Sequence, residues 1–194
     1  MSRETPSFRT PIVALVVVTA IFGVFLYWRT QVEDTPGDYH VRQGNYRLED
    51  GQFDDAIAEF ERALERTPRH RGAHFGIALT YIQMGRLEDA VAKLDEVVEI
   101  DPGFGAAYAN RGIVHDRLEH PEAALADYRR ALELEPELAD GPGWIWRFLR
   151  NIDEKPPTIA DRAAYLEAEL AKPPEERLLR LPEADREQRM YKVK

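Results

Sequence analysis

Apolar residues recur along the middle of this 194-residue chain at a fixed spacing of 34 residues. Small residues share one position of the period, large apolar residues share another, and a proline recurs near its end. These residues are Ala56, Ala90 and Ala124, then Phe60, Leu94 and Tyr128, then Pro68, Pro102 and Pro136. Such a period is typical of helix–turn–helix units, which cannot bury their apolar faces alone and therefore stack on one another. The pattern predicts three stacked repeats at residues 37–70, 71–104 and 105–138.

Each repeat is predicted to contain two helices joined by a short turn. The six helices are placed at residues 38–49, 54–66, 72–84, 88–100, 106–118 and 122–134. Gly51 and Gly85 follow the first helix of their repeats, and glycine readily adopts the left-handed conformation that ends a helix. No strand is predicted, so the expected fold class is all-α.

The repeats resemble tetratricopeptide repeats. They share with that family a turn glycine, an alanine near the start of the second helix, the final proline and a small residue in the first helix, which is Gly44, Ala78 or Gly112. The sequence departs from the family at three places. The tryptophan that is usual near the start of the first helix is replaced by His40, His74 and Tyr108. The usual tyrosine of that helix is present only as Tyr81, and the third turn reads Glu119-His120-Pro121. The resemblance covers about half of the chain and implies a right-handed solenoid.

An uncharged apolar run extends from Pro11 to Trp28. As a helix this run would be about 27 Å long, close to the ~30 Å hydrocarbon core of a bilayer. A cleaved signal peptide is the alternative, but the run is longer than a typical signal core and ends in Tyr27-Trp28-Arg29, an interfacial anchor without a convincing cleavage site. The sequence therefore predicts a transmembrane helix at residues 11–29, after a short flank at residues 1–10.

The predicted span has two further features. Thr19 and Gly23 lie four residues apart, a spacing that lets a second transmembrane helix pack closely, although an ordinary lipid-facing surface is the alternative. Arg3 and Arg9 precede the span, whereas its distal flank is locally acidic. Because Arg29, Arg42 and Arg47 lie on the other side of the span, the count of basic residues does not decide the orientation, and the acidic flank alone favours a cytoplasmic N-terminus. The expectation is a single-pass protein of the bacterial inner membrane with periplasmic repeats. Residues 30–36 are predicted to be a short linker.

The repeat pattern breaks after Pro136. Residues 139–151 are predicted to form a capping helix, whose Trp144, Trp146 and Phe148 either close the end of the solenoid or contact a partner. Residues 152–194 form a C-terminal extension with a basic tail and an amphipathic helix, which begins at Thr158-Ile159-Ala160-Asp161. The expected order is thus one transmembrane helix, a three-repeat solenoid and a helical extension.

Composition and motifs narrow the function. The net charge of -9 argues against a nucleic-acid partner, because phosphate contacts need a basic surface. The chain has no cysteine, which excludes disulfides and thiolate catalysis. His70 and His74 are four residues apart, but His70 falls in a turn and no carboxylate completes a catalytic pattern. No catalytic residue, metal ligand, cofactor or small-molecule substrate is predicted, and we expect a protein that is not an enzyme.

The family resemblance implies a peptide-binding groove lined by the first helix of each repeat. One class of these domains clamps a C-terminal carboxylate, but only Asn45 matches the clamp among the corresponding residues Val41, Asn45, Gly76, Ala106 and Asn110. The groove is instead predicted to be mainly apolar, and contiguous apolar surface usually marks an interaction site. Its residues are Val41, Asn45, Leu48, Phe75, Leu79, Ile82, Asn110, Ile113, Asp116 and Arg117.

The sequence is compatible with two different occupants of this groove. One is the chain's own C-terminal segment, through Tyr165, Leu166 and Leu170, and the other is a helix or extended peptide of a partner protein. The leading hypothesis is a membrane-anchored adaptor, scaffold or assembly factor that binds a membrane-associated protein through the groove and the C-terminal extension. The alternative is a permanent accessory subunit of a larger membrane complex.

Overall fold

The structure is a computed structural model, and the residues it describes are 17–24, 35–141 and 157–179. The chain divides into two units, Met1–Thr35 and Pro36–Lys194. In the first unit, residues 17–24 form a helix whose side chains are exposed. Among the described residues, no helix combines the length and the apolar character that a membrane crossing needs. Most of the transmembrane segment predicted at residues 11–29 lies outside the described residues.

The second unit is a series of helices, which confirms the all-α prediction. These are α1 (Asp38–Glu49), α2 (Phe53–Arg66), α3 (Arg71–Met84), α4 (Leu87–Ile100), α5 (Gly105–Arg117), α6 (Pro121–Leu134) and α7 (Ile159–Leu170), with 3-10 helices at Pro136–Ala139 and Pro174–Glu176. Each repeat helix begins and ends within one residue of its predicted bounds. Trp144, Trp146 and Phe148 of the predicted capping helix lie outside the described residues.

The turns between paired helices place either a glycine or a glutamate in the left-handed conformation. Gly51 and Gly85 end α1 and α3 with φ of 73° and 75°, in the left-handed region that glycine occupies without steric cost. The third repeat has no glycine at this position, and Glu119 adopts a φ of 62° instead. Pro121 then starts α6 at its first turn, where a proline's missing N–H is not needed.

Small residues in the first helices make room for large rings from the second helices. A Cβ added to Gly44 would lie 2.6 Å from the Phe60 ring, and one added to Gly76 would lie 2.3 Å from the same ring. Gly112 faces the Tyr128 ring in the same way, at 2.7 Å. In the first and third repeats the recurring small and large positions are therefore a glycine and an aromatic ring in close contact, whereas the second repeat has Ala78 and Leu94 at these positions.

Each helix packs against the next one in the chain, and α1 also packs against α3. The buried side chains form two clusters. The first joins repeats one and two to part of α5, and the second joins α5 and α6 to α7 through Ile159, Ala163 and Leu166. α7 itself rests on α6 and on the 3-10 helix Pro136–Ala139. It therefore covers the end of the core that the third repeat would otherwise leave open.

Candidate partner-binding surfaces

Most side chains that the sequence assigns to a groove lie in the core. Seven are at most 9% exposed: Leu48, Phe75, Leu79, Ile82, Asn110, Ile113 and Asp116. Val41 and Arg117 are half-buried, and Asn45 is exposed. Of the ten predicted groove residues, only Val41, Asn45 and Arg117 therefore keep substantial accessible surface.

Local contacts account for part of this burial. The Phe75 ring meets the Phe104 ring edge to face, with centroids 4.9 Å apart, and the Arg71 guanidinium lies 4.6 Å from the Phe104 centroid. The amide of Asn110 donates from Nδ2 to the Ala106 carbonyl oxygen at 2.8 Å, within its own helix. The side chains expected to face a partner are thus engaged with the solenoid itself.

The outer face of α1 carries the largest exposed aromatic residues of the repeats. Tyr39 and Tyr46 are 61% and 63% exposed. The residues that stand 34 and 68 positions later are Ala73, Thr80, Ala107 and Val114, and all four are fully buried. They are buried because the second helix of the preceding repeat packs on α3 and α5. α1 is the first helix described in the second unit, so no preceding helix of that unit covers the same face.

α1 is held to the rest of the solenoid by two histidine contacts. His40 Nδ1 lies 2.8 Å from Glu59 Oε2 on α2, and this hydrogen bond holds the pKa of Glu59 below its ordinary value. His70 Nε2, just before α3, lies 2.9 Å from Asp38 Oδ1. These contacts fix the orientation of α1 and hence the position of its open face.

The two histidines that the sequence places four residues apart serve different partners. His70 faces Asp38, whereas His74 lies 2.9 Å from the Pro68 carbonyl oxygen through Nε2 and 2.8 Å from Glu96 Oε2 through Nδ1. Within the described ranges, no group of three or more potential ligand side chains is arranged to hold a metal ion. The pair is therefore engaged in contacts that link neighbouring helices.

A buried ion pair attaches α7 to the third repeat. Arg162 donates from Nε and Nη2 to the two carboxylate oxygens of Asp116, at 2.6 and 2.8 Å. Tyr128 Oη donates to the same carboxylate at 3.3 Å. Both charged side chains are almost fully buried, at 7% and 6% exposed. A fork of two parallel hydrogen bonds fixes orientation as well as distance, so this pair sets how α7 lies on the repeat.

The residues after α7 fold back along it. Arg162 Nη2 also donates to the Leu179 carbonyl oxygen at 2.8 Å, and Tyr165 Oη donates to that of Leu178 at 2.5 Å. The Leu178 amide donates to Glu169 Oε2 at 2.7 Å, and this bond, together with Lys172, lowers the pKa of Glu169. The helix and its following segment thus form one unit on the third repeat.

A second charged cluster joins consecutive repeats. Arg111 on α5 donates to both carboxylate oxygens of Asp127 on α6, at 2.9 and 2.7 Å, and to Asp95 on α4 at 2.6 Å. These carboxylates raise the pKa of Arg111, and burial lowers the pKa of the neighbouring His115. The cluster is structural, since it ties three helices together and each carboxylate already has a cation.

Sequence reasoning found Asp116 but missed its partner Arg162. A signal for the pair was present, because two positions are polar only in the third repeat. These are Asp116, where the earlier repeats have Leu48 and Ile82, and Tyr128, where they have Phe60 and Leu94. Two polar changes in one repeat indicate a polar contact that the other repeats lack. The open face of α1 was also missed, although Tyr39 and Tyr46 stand where later repeats have smaller residues.

Comparison with solved structures supports the fold. The first TPR domain of Spaghetti (RPAP3), bound to the HSP90 peptide SRMEEVD, is 21% identical, with a TM-score of 0.56 over 72% of this chain and 97% of that one. The first TPR domain of human RPAP3 is 22% identical, with a TM-score of 0.52 over 69% and 97%. The Arabidopsis OM64 TPR domain is also 22% identical, with a TM-score of 0.51 over 53% and 84%. Identities this low establish a shared fold and nothing about shared ligands.

Comparison of the sequence with curated proteins finds no match. Comparison with family models, in contrast, identifies the repeats. Two family models described as Tetratricopeptide repeat match residues 41–103 and residues 105–138. Together they cover the three repeats that the 34-residue period predicts. Residues 41–138 of this chain therefore belong to the tetratricopeptide repeat family.

Proposed function

We propose that this protein is a membrane-anchored protein-interaction module, an adaptor or assembly factor that holds a partner protein on the outer face of α1. The observation that carries the proposal is the exposure of Tyr39 and Tyr46 at positions that the later repeats bury completely. Tyrosine is enriched at the energetic centres of protein interfaces, because its large rigid ring contributes contact area with little loss of conformational freedom. The partner surface that fits is an apolar patch with polar groups near the tyrosine hydroxyls.

Fold-level analogy gives the proposal further support. A structurally similar TPR domain, that of RPAP3, is bound to a peptide, so the fold is able to hold a polypeptide. In this chain the predicted groove is largely buried, and Val41, Gly76 and Ala106 stand where a carboxylate clamp needs polar or cationic groups. We therefore place the partner contact on the face of α1 that carries Tyr39 and Tyr46, and expect it to involve no free C-terminus.

The anchor is the second part of the proposal. The uncharged run of residues 11–28 has the length of a membrane span, and its described part, residues 17–24, is helical with exposed apolar side chains such as Val18 and Ile21. We propose that this segment sits in a bacterial inner membrane with the repeats on the periplasmic side. A catalytic role is not proposed, because we find no nucleophile–base arrangement among the described residues.

The test combines site-directed cross-linking with a direct binding measurement. A photoreactive phenylalanine analogue at position 39 or 46 is expected to capture one partner in intact cells, and the same analogue at Leu178, which is 66% exposed, is the control.

The purified partner should then bind the full chain, and Tyr39→Ala with Tyr46→Ala should weaken binding by about tenfold or more. Met84→Ala on α3 should leave the affinity unchanged. Equal binding by the tyrosine variant would show that α1 is not the contact.

A permanent accessory subunit of a membrane complex is the second candidate. It is favoured by the helical segment at residues 17–24, where Thr19 and Gly23 are four residues apart and a Cβ added to Gly23 would meet nothing within 4 Å. A subunit should stay with its complex through purification in detergent, whereas an adaptor should separate. Gly23→Leu should release a subunit from its complex and leave an adaptor's partner binding intact.

A further inference from the structure

The third repeat contains a carboxylate that is positioned by the repeat itself. Asp116 lies at the end of α5 and is 9% exposed, and the fully buried Tyr128 of α6 donates a hydrogen bond to it. Both residues belong to the repeat, and neither position is polar in the other two repeats. The third repeat therefore supplies the acceptor and one of its hydrogen-bond donors, and Arg162 of α7 contacts both of its oxygens.

The group that binds this carboxylate is a guanidinium. A carboxylate removed from water needs a cation with matching hydrogen bonds, and the planar fork of arginine supplies two parallel donors, which lysine cannot. Arg162 fills this role with both oxygens of Asp116, while its guanidinium also lies 5.3 Å from the Tyr165 ring centroid. The chemistry at this position is specific for arginine.

Apolar contacts surround the guanidinium and complete the site. Ile159, Ala163 and Leu166 of α7 join the cluster that contains Ala109 and Ile113 of α5. Relative to the arginine these three residues stand at positions –3, +1 and +4, which is one face of a helix. The site therefore recognises an amphipathic helix that carries a single arginine within its apolar face.

We infer that the third repeat is a binding site for an arginine-bearing amphipathic helix of a partner protein, and that residues 157–179 occupy it as an intramolecular ligand. Because α7 is part of the same chain, it competes at a high effective concentration. A partner helix binds only in the fraction of molecules in which α7 has left, so its apparent affinity is lowered by that fraction. This site is separate from the α1 face and does not depend on it.

The test uses a fluorescent synthetic peptide of residues 157–179 and the full-length protein in detergent. Arg162→Ala in the protein weakens the internal ligand, and we expect it to raise the affinity for the peptide by about tenfold or more over the unmodified chain. The matched control is Arg129→Ala, which removes an exposed ion pair with Glu167 on the same helix pair. It should leave peptide affinity unchanged. A peptide with Arg162→Ala should fail to bind any of these proteins.

Three results with these variants would overturn the inference, and a fourth applies where a lysine variant replaces Arg162→Ala. They are no peptide binding by a folded Arg162→Ala protein, equal binding of the peptide that lacks the arginine, and an Arg129→Ala protein that binds as tightly as Arg162→Ala. Circular dichroism establishes whether the variant is folded. If Arg162→Ala is unfolded, Arg162→Lys replaces it, because lysine keeps the charge and loses the fork. Peptide affinity for Arg162→Lys that equals that of the unmodified chain would also refute the site.

Discussion

At the scale of single residues, glycine decides where the aromatic rings of the core lie. The Phe60 ring is enclosed by Gly44 on α1 and Gly76 on α3, so one side chain joins three helices and two repeats. A methyl group at either glycine would occupy the volume of the ring. The glycines are therefore needed for close approach, although glycine is a poor helix former in other respects.

Two glycines of α3 give a matched test of this contact. Gly76→Ala would place its Cβ 2.3 Å from the Phe60 ring, whereas Gly72→Ala would meet its nearest side chain at 3.4 Å, an ordinary contact distance. We expect Gly76→Ala to lower the free energy of unfolding by about 1–3 kcal/mol, because the ring must leave its preferred position. Gly72→Ala should change it by less than about 1 kcal/mol or stabilise the protein slightly. Urea denaturation measures both values, and equal effects would contradict the packing argument.

His115 gives a residue-scale prediction about pH. Burial lowers its pKa below the ordinary 6.5, although the nearby Asp127 opposes this effect. As pH falls below about 6.5, the unfolded chain takes up a proton that the folded chain does not, so stability is lost with a slope of at most ~1.4 kcal/mol per pH unit. Above that pH the histidine is neutral in both states and the slope disappears.

The check compares unfolding curves at pH 7.5 and pH 5.5 for the unmodified chain and for His115→Gln. Glutamine cannot take up the proton, so the variant should lose less stability on acidification. Arg111 lies beside His115 and stays charged throughout, and therefore adds nothing to the difference. Identical losses in the two proteins would show that His115 is not the titrating group.

At the scale of elements, α7 takes the place that the first helix of a fourth repeat would occupy. Its start is specified locally by a capping box, in which Thr158 Oγ1 accepts from the Asp161 amide and Asp161 Oδ2 accepts from the Thr158 amide at 2.9 Å. Its position on the third repeat is set by Arg162, Ile159 and Leu166, which are buried against residues far away in the sequence. The first kind of signal can be read from sequence, whereas the second depends on which helix faces are brought together.

Removing α7 tests its role as the cover of the third repeat. A chain that stops after Asn151 loses Ile159 and Leu166, each of which contributes about 1.5–3 kcal/mol when fully buried. We expect its free energy of unfolding to fall by roughly 3 kcal/mol or more and its binding of an apolar dye to increase. A chain that stops after Leu179 keeps every contact described for α7 and is the control. If the two truncated chains are equally stable, α7 contributes nothing to the solenoid.

At the scale of the whole molecule, the repeat architecture could be predicted, but the burial of the side chains assigned to a groove could not. The 34-residue period places six helices to within one residue, because the recurring glycine, alanine and proline positions each act locally. The burial of Phe75 could not be read in this way, since it depends on a contact with the Phe104 ring, which is 29 residues away in the chain. The pairing of Asp116 with Arg162 joins residues 46 positions apart and emerges only from the folded chain.

The division into two units gives the last prediction. Because the second unit begins at Pro36 and holds both core clusters, a chain of residues 36–194 should fold without the first unit. We expect it to remain in solution after ultracentrifugation, with the helical circular dichroism and cooperative unfolding of the repeats, whereas the full chain should sediment with membranes and need detergent for release. Sedimentation of both chains would place the membrane contact in the second unit. Loss of cooperative unfolding in the shorter chain would show that residues before Pro36 contribute to the core.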